Sequence, residues 1–189
     1  MKILLIFFVL FFSSSIFADE YHNYKIEGIG LGDSLLDYYR KYEINNSKTY
    51  FYKNNEFTNV AIDDHQLFKK FDRMQFNYKT NDPEFIIYSI SGIYFYENKN
   101  VERCHNEMKG IADEISKTYS ESEQYEDTIV HDADKSGKSK YKLILILSNS
   151  IRVASIVCYD FSKEVNYTDY LSVSIRTEEF NEFLGYAYE

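Results

Sequence analysis

The sequence predicts an α+β fold: a mainly antiparallel sheet with helices packed on one face, in two layers. It also hints at two halves, each running from a helix into strands. Three features carry this expectation. One long segment in the middle of the chain has a clean helical period, with Val101, Cys104, Met108, Ile111, Ala112, Ile115 and Tyr119 on one stripe and charged residues elsewhere. Strand-like runs lie on both sides of it. The turns joining successive runs are too short for the crossovers a parallel sheet requires.

Taken in chain order, Tyr24 to Leu31 reads as a short strand loosened by Gly28 and Gly30. Ser34-Leu35-Leu36-Asp37 has the form of a capping box, and a helix is expected to run from it to about Tyr42. Thr49 to Tyr52 and Phe57 to Ile62 read as strands around a polar turn. Arg73 to Lys79 alternates, with Met74, Phe76 and Tyr78 on one face. Asn81-Asp82-Pro83 marks a turn, and Phe85 to Tyr96 is the longest expected strand. Gly92 in its middle implies a bulge or a close backbone approach. After the long helix come Lys140 to Leu147, Ile151 to Phe161 and Tyr167 to Arg176 as strands. Thr177 then caps a final helix that Gly185 is expected to stop.

The first eighteen residues read as a secretory signal peptide: Lys2, an apolar run from Ile3 to Phe12, three serines, and a small residue, Ala18, at the expected cleavage point. The apolar run is short for a membrane span. The expected organisation is therefore a signal peptide, 1–18, and a single α+β domain, 19–189, in the periplasm or secreted. No transmembrane segment is expected in the mature chain. The formal net charge is −9, and an acidic surface repels phosphate, which argues against nucleic acid as a partner. The absence of Trp, the single Pro and the wealth of Tyr, Phe, Ile, Lys and Asn point to an AT-rich, bacterial genome. Cys104 and Cys158 make an even count in an exported chain and are expected to form a disulfide. Two buried free thiols are the alternative.

Candidate chemistry is sparse. Asp132-Ala133-Asp134-Lys135-Ser136-Gly137 matches the opening of a calcium loop, with Asp132, Asp134 and Ser136 as oxygen ligands. The twelfth position, however, is Leu143, and lysines crowd the site. A polar turn explains the same residues. Gly137-Lys138-Ser139 has no glycine at 132 and no following helix, so it is not a phosphate loop. The four histidines show no metal spacing, and no cofactor is implied. Tyr88, Tyr94, Tyr96 and Tyr159 lie on expected strands, where a row of them would make a sugar- or peptide-binding face. Sheet packing accounts for them equally well.

Gly32-Asp33-Ser34-Leu35 resembles the first block of the GDSL esterases and lipases, and that resemblance implies Ser34 as a nucleophile. The family's further blocks are not matched. Lys79-Thr80-Asn81-Asp82 lacks the glycine of the Gly-x-Asn-Asp block, and the one Asp-x-x-His, Asp19 to His22, precedes the serine. The longer opening Ile26 to Ser34 resembles small uncharacterised exported proteins of AT-rich bacteria. It is loosely similar to small outer-membrane assembly lipoproteins, without their lipid-anchor cysteine. The expected function is a non-catalytic exported or envelope-associated protein. It would bind a protein or small ligand in the cell envelope through its sheet face or an exposed edge strand. The alternative is a GDSL-type serine esterase using Ser34.

Overall fold

A computed structural model describes residues 24–187 apart from 50, 51, 64, 65, 97–99, 120 and 150. The signal peptide and its expected cleavage site after Ala18 lie outside the described residues, as do His22 and His65. The described residues form one eight-stranded antiparallel sheet and three α-helices. The elements are α1 (Lys41–Asn46), β1 (Lys48–Thr49), β2 (Phe57–Asp63), β3 (Arg73–Lys79) and β4 (Ser89–Tyr96). They continue with α2 (Val101–Thr118), β5 (Ser122–Val130), β6 (Lys140–Ser148), β7 (Ile151–Asp160), β8 (Asp169–Arg176) and α3 (Glu178–Tyr186).

Spatial order is β1-β2-β3-β4-β8-β7-β6-β5. The sheet is thus two four-stranded meanders, each preceded by a helix and joined where β4 pairs with β8. This is the arrangement in two halves hinted at by the sequence. All neighbours are antiparallel, the β4–β8 pair included, and within each meander successive strands are joined without a crossover.

The long helix forms where its periodicity demands. Asn100 caps α2 by accepting from the Arg103 amide, Glu102 and Lys117 match the helix dipole, and Arg103 pairs with Glu107 one turn on. Its buried stripe of Cys104, Met108, Ile111, Ala112 and Ile115 lies across the β5–β8 half. There it packs on Ile144, Ile146, Ile156, Leu171, Val173 and Ile175. Cys104 and Cys158 stand at disulfide distance, with Cα atoms 6.1 Å apart, so the pair ties α2 to β7. The other half of this face is covered by the N-terminal segment, whose Leu35, Tyr39 and Ile44 join Val60, Phe76 and Tyr78. At Gly92 the expected close approach is a ring: a Cβ there would stand 2.7 Å from Phe71. The strand itself runs through Gly92 without a bulge.

Four local expectations are corrected. Tyr24 to Leu31 is no strand but a tight turn. Ile26 and Ile29 exchange backbone hydrogen bonds across Glu27 and Gly28, both with positive φ (55° and 81°). The first helix is only a 3-10 turn at Leu35–Asp37, and α1 restarts after Arg40. The break follows from Asp33, which accepts from both Gly30 N and Tyr38 Oη and so pins the turn from two sides. The strand expected from Phe85 begins only at Ser89 and, at eight residues, is shorter than the ten-residue β7, because Asp82 accepts from Glu84 N and Ile86 N and holds that stretch as a loop. Gly185 does not stop α3, which continues to Tyr186.

Candidate ligand-binding face

Antiparallel register decides which side chains share each face of the sheet. The residues paired across β4, β8 and β7 opposite to α2 are Ser91 with Ser174 and Ser155, Ile93 with Ser172 and Val157, and Phe95 with Tyr170 and Tyr159. The side chains of each strand alternate between the two faces, and the face away from α2 collects serines and aromatic rings together with Ile93 and Val157. On that other side α3 covers one end only. Phe180 and Phe183 pack on Phe57, with ring centroids 5.0 and 4.8 Å away, and Tyr52 adds an edge contact at 4.9 Å to Phe183. The main helix occupies one face as expected, while this short helix sits on the opposite face.

Beyond α3 the face opens into a groove with two compartments. The first, about 300 Å³, has a floor of Ser91, Ser172 and Ser174 with Arg73 and Arg176 at its sides. The Ser91 and Ser174 hydroxyls lie 2.7 Å apart, so they satisfy one another at the floor. The Arg73 guanidinium is gripped by both carboxylate oxygens of Asp63 and lies 5.5 Å from the Phe95 ring centroid. The second compartment, about 450 Å³, is aromatic and runs over Phe95 and Tyr170 to His131, Phe161 and Tyr167. Tyr159 and Tyr170 stack at 4.3 Å, and Tyr167 meets Phe161 at 5.2 Å. Burial pushes the Tyr159 and Tyr170 hydroxyls up, so both stay protonated donors.

Two loops frame the aromatic compartment, and Asp134 ties them together. Its Oδ2 accepts from Ser139 N (2.9 Å), Ser139 Oγ (2.6 Å) and Ser162 Oγ (2.7 Å), and its Oδ1 accepts from Ser136 N (2.9 Å). The hydrogen bonds of Ser139, then those of Ser136 and Ser162, hold this carboxyl well below the usual carboxylate range.

These contacts place each residue singled out in the sequence. Asp132, Asp134 and Ser136 belong to a hydrogen-bonded turn. The Asp134 oxygens a calcium ion would need are taken by serine and amide donors, and Asp132 is exposed. Among the described residues no group of three or more metal-ligating side chains is gathered. Ser34 caps the 3-10 turn, accepting from Leu36 N at 3.1 Å and donating its own proton to the Glu84 carbonyl. A hydroxyl engaged with a backbone carbonyl is not presented to a base. His131 sits in the aromatic cluster of the groove, 5.2 Å from Phe161. The four tyrosines do not form one row. Tyr94 and Tyr96 face Arg103 on the α2 side, Tyr88 packs against Phe57 near α3, and only Tyr159 lies in the groove.

The serine floor and the two arginines were missed from sequence. The pattern Ser-x-Ser recurs in β4 (Ser89, Ser91) and β8 (Ser172, Ser174), a regular polar face on strands whose other face is apolar. That repetition was the available sign.

No family model matches the chain, and no curated protein sequence matches it. Among solved structures, the solution structure of cyanobacterial PsbP from Synechocystis sp. PCC 6803 aligns with 74% of this chain and 86% of its own, at 7% identity and a TM-score of 0.34. Among the described residues no helix is long and apolar enough to cross a membrane.

Proposed function

We propose that this protein is a non-catalytic binding protein of an exported compartment, and that its ligand lies in the groove on the sheet face opposite α2. One observation carries the reading. The central strands β4 and β8 place three serines, Ser91, Ser172 and Ser174, around Ile93 on a face that no described helix covers at that point. Small polar side chains at the middle of a sheet leave a depression with hydrogen-bonding groups on its floor. The aromatic compartment beside it supplies the apolar surface that ligand sites combine with a few convergent polar groups. The N-terminal segment, read as a signal peptide, and the Cys104–Cys158 pair support an oxidising compartment outside the cytoplasm.

The test is a titration of isotopically labelled residues 19–189 with a soluble digest of bacterial cell envelope, containing its glycans and peptides. The amide signals of Ser91, Tyr170, Ser172 and Ser174 are expected to shift while those along α2 hold still. Shifts confined to α2 or to the β5 edge, or no shifts at all, would sink the proposal.

A further inference from the structure

Resting on that reading, we infer that the groove takes an acidic saccharide: a sugar ring stacked in the aromatic compartment, with its carboxylate directed to Arg73 and Arg176. Charge is the first argument. The chain carries 30 acidic against 21 basic residues, yet no side chain lining either compartment is acidic. Two guanidiniums border the same compartment, and although Asp63 pairs with Arg73 from outside, the lining itself is basic on an acidic protein. Asp63 lies outside that lining and engages Nε and Nη2 of Arg73, which orients the guanidinium and leaves its remaining donors for a ligand.

The second argument is hydrogen-bonding chemistry. Around the guanidiniums stand hydroxyls and amides: Gln75, Ser91 and Ser172 in one compartment, Asn166 and Thr168 in the other. Each can donate and accept, which suits a ring bearing many hydroxyls. The third is the stacking surface. Phe95 and Tyr170 belong to both compartments, so an apolar ring face laid on them brings a substituent within the arginine-bordered half. A peptide strand would be recognised by backbone pairing at a sheet edge, whereas this groove crosses the middle of the sheet, where every backbone pair is already made.

Calorimetry on residues 19–189 tests the inference with defined probes: oligomers of galacturonate, of mannuronate and of glucuronate, each beside a neutral oligosaccharide of similar length. At least one acidic oligomer is expected to bind at low salt and to bind at least tenfold more tightly than its neutral counterpart. Arg176→Gln and Arg73→Gln are each expected to weaken that binding about tenfold or more, and Arg176→Lys to restore part of it. Melting curves of the variants show that they remain folded. Absence of binding by all three acidic series overturns the inference, and so does binding indifferent to both arginine substitutions. Neutral oligosaccharides that bind as well as acidic ones, with the Ser172 and Ser174 amides shifting, overturn the acidic preference while leaving the groove as the binding site. Failure of the groove itself shows in the envelope-digest titration instead.

Discussion

At the scale of single residues, the hydrogen bonds of polar side chains separate structural from functional roles. Ser34 uses both its acceptor and its proton on backbone groups. Ser34→Ala is therefore expected to lower stability by about 1 kcal/mol, as lost caps do. It should leave hydrolysis of p-nitrophenyl acetate by the purified protein unchanged, and a fall in turnover would contradict this assignment. Asp134 behaves differently because its carboxyl is held low by serine donors. A depressed folded-state pKa gives stability that is full above the unfolded value, about 4, and lost as pH falls from there toward the folded value. Asp134→Asn should accordingly cost most at pH 7, with the gap from wild type narrowing below about pH 4 in denaturant melts. A gap independent of pH would refute it. At Gly92 a methyl group would meet the Phe71 ring at 2.7 Å. Gly92→Ala is expected to destabilise by about 1–3 kcal/mol, and Phe71→Leu in the same chain should recover part of that loss.

At the scale of elements, legibility followed periodicity. α2 and β3 were readable because their apolar residues recur at 3.6 or 2 positions with one face buried, and β7 because both of its faces are partly apolar, as in an interior strand. β5 was not readable. Glu123 to Val130 is exposed throughout, so no alternation marks the strand, and only its pairing with β6 makes it one. The capped turn at Ser34 misled for the opposite reason. Its local pattern is that of a helix, but backbone bonds to a segment far along the chain hold it, from Gly32 N to the Ile87 carbonyl, from Ile87 N to the Asp33 carbonyl and from Leu35 N to the Phe85 carbonyl. β5 is a nine-residue edge with Tyr125, Ile129 and Val130 exposed, protected by Glu123, Glu126 and Asp127. Replacing those three acids by Gln and Asn should promote self-association, visible as a concentration-dependent rise in sedimentation coefficient. An unchanged sedimentation coefficient would show that the acids do not guard this edge.

At the scale of the whole molecule, the two sheet faces do different work. One face carries the main core and the Cys104–Cys158 pair, which joins positions 54 apart in sequence. Closing that loop should contribute about 4 kcal/mol by the chain-entropy argument, so reduction is expected to lower the denaturation midpoint without shifting the groove. The other face is covered by α3 at one end and left open at the other, where serines, arginines and aromatic rings converge. Its residues come from strands far apart in the chain, and the register that aligns Ser91 with Ser174 was not visible in either strand alone. The account stands or falls on that open face. The most direct test places Trp at position 172, where it fills the groove, and compares Ser172→Trp with Lys117→Trp on the exposed side of α2, both titrated with the envelope digest. Loss of binding by tenfold or more in Ser172→Trp, with Lys117→Trp and the melting temperatures unchanged, is the predicted result. Binding by Ser172→Trp equal to that of wild type would contradict it.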